Sequence, residues 1–411
     1  MGTLSGMVKK IINLSPAVKE LSIHLYDWYC HTIYRRYARR YPVDSKTVVF
    51  ESFLGGKYAC SPKAIYEAMC TDPLYNDYKK VWCFKNPEKY RYLEQDPQTV
   101  LVKYRSDEYY KYYAQAGYWI TNYLPTYGIE KREGQVYVQC WHGTPLKKIG
   151  CDVLRSSLPA AERRRTEAEY EKEGQRIDFL PSQSPFYSEK IRSAFRLGPQ
   201  ARILEVGYPR NDALFACEEE KHRNLRDKLK LPRDMKVILY APTWRDNQHT
   251  VGTGYTYELG IDFDKLKTAL EKECIILFRA HYLISNSFDF EKYEGFVRNV
   301  SEYDDINDLY LVSDLLVTDY SSVFFDYGNL RRPMLFYMYD YEEYKDQLRD
   351  FYFEIDELPG PVIREKRDIS RDIMELLQNF SYNEKYKAFN RKFNPYSNVC
   401  SARLLKEIIK Q

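Results

Sequence analysis

Residues 136–148 read Val136-Tyr137-Val138-Gln139-Cys140-Trp141-His142-Gly143-Thr144-Pro145-Leu146-Lys147-Lys148. The apolar run predicts a short strand over Val136–Cys140 that stops at a histidine and a glycine. In open α/β sheets ligands bind at the carboxyl ends of the strands, because strand ends and helix amino ends meet there in a crevice. His142 is one of six histidines in the chain. A structural role for it stays open until partners elsewhere in the chain are found.

The composition describes a folded protein of more than one domain. At roughly 100–200 residues per domain, 411 residues predict two domains with extensions. The nine cysteines show no C-x-x-C pair and no matching histidine spacing, so neither a zinc site nor a disulfide framework is expected, and a reducing cytosol is the predicted compartment. No apolar run approaches the ~20 residues that span a bilayer, and the start lacks a signal-peptide core.

Residues 1–45 form a separate segment in which basic side chains outnumber acidic ones. Val18, Leu21, Leu25 and Trp28 recur at steps of three and four after Ser15-Pro16, which predicts an amphipathic helix. Basic and aromatic residues together favour a helix on an anionic membrane surface. The alternative is a helix that packs on the next domain with its arginines in water.

From residue 46 strands alternate with helices. The predicted strands are Thr47–Phe53, Lys80–Phe84, Thr99–Val102, Tyr118–Asn122, Val136–Cys140 and Asp178–Pro181, and the helices between them include Pro62–Met69, Asp107–Gln115 and Pro185–Phe195. This alternation predicts a parallel, doubly wound sheet.

A second round of the same alternation begins near residue 202. Its predicted strands are Ile203–Val206, Lys236–Ala241, Cys274–Phe278, Leu315–Thr318 and Met334–Tyr337, with a long charged helix Asp212–Leu231, a candidate lid between Asn247 and Gly260, and helices Asn383–Lys392 and Ser401–Lys410 at the end. We expect two Rossmann-like domains facing a cleft, 46–201 and 202–385, between the segments 1–45 and 386–411.

Four further strand ends or turns carry polar residues suited to phosphate. They are Arg210 in Gly207–Asp212, Thr243 and Arg245, Arg279 and His281, and the group Asp319, Ser321 and Ser322 before a predicted helix Val323–Asn329. Unpaired backbone N–H groups at a helix start favour a diphosphate. Singly, the serines read as an ordinary N-cap, Arg279 as a salt-bridge partner and Thr243 as a turn residue. Together they predict one ligand site.

The motifs exclude several classes of enzyme. There is no G-x-x-x-x-G-K-[ST] loop, which argues against a nucleoside triphosphate hydrolase, and no G-x-G-x-x-G after a strand, which argues against a dinucleotide cofactor. The sequence also contains no G-x-S-x-G elbow, which argues against an α/β-hydrolase. Two histidines with arginines and hydroxyls fit transfer of a phosphoryl-linked group. One imidazole, with a free pKa near ~6.5, can deprotonate an acceptor hydroxyl, and the other can hold or protonate phosphate oxygens.

Five motifs carry a family resemblance. They are Trp141-His142-Gly143-Thr144-Pro145-Leu146-Lys147, Gly207-Tyr208-Pro209-Arg210, Ala241-Pro242-Thr243-Trp244-Arg245-Asp246, Arg279-Ala280-His281 and Thr318-Asp319-Tyr320-Ser321-Ser322-Val323-Phe324-Phe325-Asp326. In this order, and over a region from about Val48 to beyond Tyr339, the chain resembles the CDP-glycerol glycerophosphotransferase family of bacterial teichoic acid and related capsule synthesis.

The resemblance implies a GT-B fold, attachment to the inner face of the plasma membrane, and transfer of a polyol phosphate from a CDP-activated donor to a lipid-linked acceptor with release of CMP. It implies that His142 is the base on the acceptor hydroxyl and that His281 lies near the donor phosphates. The donor-binding residues expected with them are Gly143, Thr144, Arg210, Thr243, Arg245, Arg279, Asp319, Ser321 and Ser322.

Several alternatives stay open. A CDP-ribitol donor is not separated from CDP-glycerol by any residue. A GT-B glycosyltransferase would use the same His142 against an anomeric carbon, and a non-catalytic membrane scaffold would be built on residues 1–41. The chain lacks the long extra N-terminal domain of some polymerising members, so single transfer and polymerisation both remain open. We expect no cofactor; assistance by a divalent metal stays open, although no carboxylate cluster calls for one.

Overall fold

The structure is a computed structural model that describes residues 16–126, 128–153, 160–216, 218–243, 249–250, 254–255, 260–280, 288–347 and 351–409. The chain forms two compact units. Unit 1 holds the described residues up to Tyr58 together with Ile65–Trp141, and unit 2 holds Ala59–Ala64 and the described residues from His142 onward.

Unit 1 is built on five parallel strands joined through helices. Its elements are α1 (Pro16–Arg40), β1 (Asp44–Glu51), α2 (Cys60–Thr71), β2 (Lys79–Phe84), β3 (Thr99–Lys103), α3 (Asp107–Gln115), β4 (Ala116–Thr121) and β5 (Val136–Gln139). The first turn of α2 is counted in unit 2. The strands lie in the order β3-β2-β1-β4-β5, as expected for a doubly wound sheet.

The strand β1 ends two residues before its predicted end. Phe53, Leu54 and Gly55 follow it with φ values of 49°, 53° and 70°, so three consecutive residues adopt the left-handed conformation. Such backbone cannot continue a strand, and for residues with a side chain it is strained. The strand therefore stops at Glu51 and the chain turns sharply at the carboxyl edge of the sheet.

The core of unit 1 is rich in buried tyrosines and tryptophans. Trp82 stacks on Phe84 with ring centroids 5.2 Å apart, and Tyr113 meets the edge of Trp119 at 5.3 Å. A buried tyrosine needs a partner for its hydroxyl. Tyr113 donates to the carboxylate of Glu51 at 3.1 Å, so the aromatic core contains a buried titratable group.

Burial raises the pKa of Glu51 from the usual 4.5 to about 7, although hydrogen bonds from tyrosine hydroxyls oppose the shift. The folded state therefore holds this proton more tightly than the unfolded state, and the associated stability is full below pH 4.5 and is lost as the pH rises through about 7. We predict that Glu51→Gln, which stays neutral, has a free energy of unfolding up to ~3 kcal/mol higher than the wild type at pH 8. Urea denaturation measures this difference. The difference should vanish near pH 5; an equal difference at both pH values would contradict the assignment.

The helix α1 confirms the predicted N-terminal helix and packs on α3 through one face. Tyr110 donates its hydroxyl to the Sγ atom of Cys30 at 2.9 Å, and Arg36 forms an ion pair with Asp107 at 3.2 Å. The stripe predicted from the sequence lies elsewhere: Leu25 and Trp28 are 58% and 67% exposed. The face of α1 that packs on the rest of unit 1 is therefore not the apolar stripe that periodicity predicts.

Unit 2 contains a second parallel sheet and the C-terminal helices. Its elements are α4 (Ala160–Gly174), β6 (Phe179–Ser182), α5 (Pro185–Ala194), β7 (Arg202–Glu205), α6 (Asp212–Phe215), α7 (Glu219–Lys228), β8 (Lys236–Ala241), β9 (His249–Thr250), β10 (Gly254–Tyr255), α8 (Phe263–Leu270), β11 (Cys274–Phe278), β12 (Val297–Asn299), α9 (Ile306–Val312), β13 (Leu315–Thr318), α10 (Val323–Tyr327), β14 (Met334–Tyr337), α11 (Tyr341–Gln347), β15 (Val362–Ile363), α12 (Ser370–Asn379), α13 (Glu384–Phe393) and α14 (Ser401–Ile408).

Six of these strands lie in the order β12-β11-β8-β13-β14-β15 and all pair in parallel, while β6 pairs with β7. Alternate residues of β8 face opposite cores: Val237 and Leu239 pack in one cluster, and Ile238 and Tyr240 in the other. A strand buried on both faces reads as a continuous apolar run, which is why its bounds are predicted correctly. The alternating α/β prediction is confirmed.

Unit 2 departs from the predicted elements in the segment after β7. The single helix expected over Asp212–Leu231 is wrong: a short helix ends at Phe215 and α7 begins at Glu219. The candidate lid between Asn247 and Gly260 lies mostly outside the described residues, although His249–Thr250 and Gly254–Tyr255 pair as a short antiparallel hairpin.

The units divide at Trp141 and His142, whereas the sequence places a boundary near residue 201. The C-terminal part of the chain explains the difference, because α13 packs on α5 and the Nε2 atom of Gln183 donates to the carbonyl of Tyr396 at 3.4 Å, so both contacts cross residue 201. The functional domains 46–201 and 202–385 stay predictions. Among the residues that the structure describes, no helix combines the length and apolar character needed to cross a membrane.

Candidate active site

The segment after β5 turns abruptly at Trp141. This residue has φ 47°, and its N–H donates to the Oε1 atom of Gln139 at 2.9 Å. A bulky residue in the left-handed conformation is uncommon and often marks a functional site. His142 follows immediately and is partly exposed, while Gly143 and Thr144 are buried.

Within unit 2, Gly143 lies directly against Ser322. A Cβ atom added to Gly143 would lie 2.7 Å from the Oγ atom of Ser322 and 3.2 Å from its Cβ atom. Only glycine allows this approach of backbone to side chain. The neighbouring Thr144 exchanges a hydrogen bond of 2.9 Å with the hydroxyl of Tyr208. The structure therefore brings together three of the predicted motifs: the His142 segment, the Gly207 turn and the serine pair.

Ser321 and Ser322 lie at the start of α10, as predicted. Ser322 occupies the N-cap position with φ −71° and ψ −1°, and its side chain makes no capping hydrogen bond. An ordinary capping serine would have extended backbone and would accept a hydrogen bond from the first turn. The interpretation of this serine as a simple cap is wrong for its side chain, so the hydroxyl remains suited to a ligand oxygen.

Asp319 organises the ends of two neighbouring strands. Its buried carboxylate accepts hydrogen bonds from the N–H groups of Thr243 at 2.8 Å and Tyr320 at 2.6 Å. Thr318 donates its hydroxyl to the carbonyl of Ala241 at 2.7 Å. Thr243 and Asp319, predicted from separate motifs, thus lie together, and Asp319 holds the loops after β8 and β13 in place.

Arg210 forms a buried ion pair that sequence reasoning missed. Its Nε and Nη2 atoms donate to Asp326 at 3.0 and 3.1 Å, and Asn211 donates to the same carboxylate at 3.0 Å. Burial alone lowers the pKa of Arg210, but the charge of Asp326 outweighs burial and the net shift is upward, so the guanidinium stays charged. Its Nη1 atom is buried and has no hydrogen-bond partner. Asp326 stands in the quoted serine motif, but only the fold shows that it faces Arg210.

Arg279 is used for structure at the end of β11. Its Nη1 atom donates to the backbone carbonyls of Val300 and Tyr303 at 3.2 and 2.8 Å, and burial lowers its pKa. These bonds hold the loop after β12 against the end of β11. The predicted residues His281 and Arg245 lie outside the described residues.

The described part of the chain contains no group of three or more histidine, cysteine, aspartate or glutamate side chains that could hold a metal ion. Hydroxyls, backbone N–H groups and a buried guanidinium are the groups that accommodate phosphate oxygens without a metal. Parallel α/β units with such residues after the strands of unit 2 define a protein of the GT-B-like class with a candidate phosphate site.

Three known proteins are similar to this chain over most of its length. A teichoic acid poly(glycerol phosphate) polymerase from Staphylococcus epidermidis is 41% identical over 371 residues, covering 89% of this chain and 51% of that protein. A teichoic acid glycerol-phosphate transferase from Staphylococcus aureus is 36% identical over 368 residues, covering 88% of this chain and 92% of that protein. The solved structure of the wall teichoic acid polymerase TagF matches with a TM-score of 0.79 and 40% identity, covering 89% of this chain and 88% of that one.

The chain belongs to the CDP-glycerol:poly(glycerophosphate) glycerophosphotransferase family, whose model matches residues 33–410. This confirms the resemblance drawn from the five motifs, and the TagF match confirms the predicted fold class. The chain spans about half the length of the S. epidermidis polymerase that it matches.

Proposed function

We propose that this protein transfers glycerol phosphate from CDP-glycerol to a hydroxyl group of a lipid-linked teichoic acid acceptor and releases CMP. The observation that carries the proposal is the contact of Gly143 with Ser322, because it holds the segment that begins with His142 against the serine pair. Family membership supports the donor class, since the family is described by CDP-glycerol and poly(glycerophosphate). Both similar proteins from staphylococci also carry glycerol phosphate in their names.

In this mechanism His142 accepts the proton of the acceptor hydroxyl as its oxygen attacks the β-phosphorus of CDP-glycerol. A new phosphorus–oxygen bond forms to the acceptor, the bond between the β-phosphorus and the bridging oxygen breaks, and CMP leaves with the electron pair. Ser321, Ser322 and the Nη1 atom of Arg210 are the proposed donors to the phosphate oxygens, where preorganised hydrogen bonds stabilise developing charge. The role of His281 as a second phosphate-binding histidine rests on the family resemblance alone.

The contact at Gly143 gives a test of this geometry. We predict that Gly143→Ala lowers kcat/KM for CDP-glycerol about 10- to 100-fold, because a displacement of even ~1 Å at the reacting groups is costly. Ser322→Gly removes both atoms that the new Cβ would meet. Adding Gly143→Ala to Ser322→Gly should therefore cost little beyond the single serine change. Losses that multiply in the double variant would show that the two residues do not act through this contact.

CDP-ribitol and a nucleotide sugar are the alternative donors. The assay that separates them incubates the protein with CDP-glycerol and CDP-ribitol in parallel, with a synthetic lipid-linked primer, and determines the product masses. We expect the primer mass to rise by one or more glycerol phosphates and CDP-ribitol to be used poorly. The number of units added distinguishes single transfer from polymerisation. Products formed only from CDP-ribitol, or from neither donor, would contradict the proposal.

We further propose that the protein attaches to the anionic inner face of the plasma membrane through α1. Leu25, Trp28 and Tyr29 are exposed on this helix, and its last turn is basic at Arg39 and Arg40. Apolar rings beside basic residues suit the interface of an anionic bilayer. This face is distinct from the one that packs on α3 within unit 1.

Replacing Trp28 by glutamate should weaken binding to vesicles that contain anionic phosphatidylglycerol by about tenfold, because an apolar ring is lost and a negative charge is gained. Tyr92, an exposed aromatic residue outside α1, provides the matched control. Vesicle sedimentation should be unchanged for Tyr92→Glu. Equal binding by Trp28→Glu and wild type would contradict attachment through this face.

A further inference from the structure

Three adjacent strands of unit 1 each end two residues before an aromatic side chain. Glu51 of β1 pairs with Thr121 of β4, and Thr121 pairs with Gln139 of β5. The residues two positions beyond this registered row are Phe53, Tyr123 and Trp141. Neighbouring parallel strands lie ~4.8 Å apart, so the registered residues form a row across the carboxyl edge of the sheet, and the three aromatic residues lie in the loops that follow this row.

Tyr123 and Trp141 are held rigidly beyond this row. Their rings stack with centroids 6.5 Å apart and an interplanar angle of 18°. The side chain of Gln139 contacts both residues: its Nε2 atom donates to the carbonyl of Tyr123 at 3.2 Å, and its Oε1 atom accepts from the N–H of Trp141 at 2.9 Å. Thr121 also donates to the carbonyl of Tyr123, at 3.0 Å. The buried Trp141 therefore supports the ring of Tyr123 from behind.

Phe53 is fixed by backbone strain and by a side-chain hydrogen bond. Its N–H donates to the Oδ1 atom of Asn122, the residue before Tyr123, at 2.8 Å. The left-handed run Phe53-Leu54-Gly55 is anchored further by the N–H of Lys85, which donates to the carbonyl of Gly55 at 2.7 Å. Strained backbone that the surroundings maintain is concentrated at ligand sites.

Two of the three rings remain open to solvent despite this support. Phe53 is 37% exposed and Tyr123 is 39% exposed. Large apolar side chains on rigid supports at strand ends give a ligand a preorganised apolar surface. A pyranose ring has a flat face of C–H groups that suits such a surface, whereas a glycerol phosphate chain is flexible and charged throughout.

We propose that Phe53 and Tyr123, supported by Trp141, form an aromatic platform that binds a pyranose ring of the lipid-linked acceptor. The inference rests on the proposed function and adds the part of the acceptor that unit 1 recognises. The described residues predicted to bind the donor phosphates belong to unit 2, which leaves the platform to the acceptor. Trp141 directly precedes His142 in the chain, so the platform leads to the proposed base.

The aromatic platform should make acceptor choice depend on how far the sugars of the primer lie from its reactive hydroxyl. A primer whose reactive hydroxyl lies close to its sugars can occupy the platform while it reacts. A primer extended by many glycerol phosphates places its sugars far from the reactive end and loses that contact. The protein should therefore use a short sugar-proximal primer with a lower KM than an extended one.

The test measures KM for two water-soluble primers, one with a single glycerol phosphate on a disaccharide and one with a poly(glycerol phosphate) chain that lacks sugars. For Phe53→Ala and Tyr123→Ala we expect the KM of the disaccharide primer to rise about tenfold, the size expected when one apolar ring contact is lost. Tyr123→Phe should stay near wild type, since it keeps the ring. KM for the sugar-free primer and for CDP-glycerol should be unchanged. Tyr92→Ala provides the matched exposed control.

Any of the following outcomes would contradict the proposed aromatic platform. A raised KM for CDP-glycerol would make it a nucleotide-binding surface, and a loss confined to vesicle binding would make it a lipid-facing one. Equal KM changes for both primers would show that the rings do not read the sugar. If the wild type releases no CMP with either primer, the proposed function itself fails, which is distinguished by this control from failure of the platform.

Discussion

His142→Ala is expected to slow CMP release from CDP-glycerol by about 10²- to 10⁴-fold, the range contributed by a positioned general base. Donor affinity, measured by equilibrium titration with CDP-glycerol, should change little, because the serine pair and Arg210 remain. The fold should also persist, since His142 is partly exposed and the segment is held by the neighbouring Gly143 and Thr144.

His222 is the matched control for this variant. His222 is also a partly exposed histidine, but it lies on α7, which contains none of the five sequence motifs. His222→Ala should keep full activity. Wild-type rates in His142→Ala would contradict its role as base, and a loss of donor affinity equal to the loss of rate would assign it to binding instead.

Asp326→Ala is expected to lower the free energy of unfolding by about 3–5 kcal/mol, because it leaves the charge of Arg210 buried without a counter-ion. The side chains of Arg210 and Asp326 are only 3% and 8% exposed, and Asn211 loses its acceptor in the same variant. Asp326→Asn keeps a hydrogen-bond acceptor and should lose less. The exposed pair Arg196 and Glu171 is the control, and Glu171→Ala should change the free energy of unfolding far less.

A double replacement separates the structural and ligand-binding roles of this pair. Replacing a buried ion pair by apolar residues is often neutral or stabilising. Arg210→Met with Asp326→Leu should therefore recover most of the stability lost in Asp326→Ala, while kcat/KM for CDP-glycerol stays low because the Nη1 donor is absent. Recovery of activity together with stability would show that Arg210 serves the fold alone. Chemical denaturation and steady-state kinetics on the same preparations give both quantities.

The sequence predicts the strands of unit 2 best. Lys236–Ala241, Cys274–Phe278, Leu315–Thr318 and Met334–Tyr337 have the predicted bounds, because each is an apolar run that is buried on both faces and bounded by polar residues. Strand Val362–Ile363 was missed, since two residues carry no periodic signal. The sequence does not predict the break at Phe215 either, because Ala213, Leu214 and Ala216 are good helix formers and the charged run that begins at Glu218 follows directly.

Periodicity along α1 predicts a helix but not which face the rest of the protein covers. Leu25 and Trp28 fit the apolar spacing and are exposed, while Cys30, Ile33 and Tyr34 are buried. Only the position of α3 decides between the two faces.

The residues of the candidate site are predicted from strand ends, but two contacts between them are visible only in the folded structure. The contact of Gly143 with Ser322 joins positions far apart in the sequence. The pairing of Arg210 with Asp326 reveals that most of this guanidinium is already engaged. The roles of the individual site residues stay predictions, including those of Arg245 and His281, which lie outside the described residues.

The central claim is that a phosphoryl-linked group, and not a sugar, is transferred. Phosphorus-31 NMR of a reaction with CDP-glycerol and the disaccharide primer tests this most directly, because it identifies the released nucleotide and the new linkage in one spectrum. We predict CMP and a new phosphodiester signal in equal amounts with the wild type, and neither with His142→Ala above about one hundredth of the wild-type rate. Release of CDP without a new phosphodiester would contradict the account.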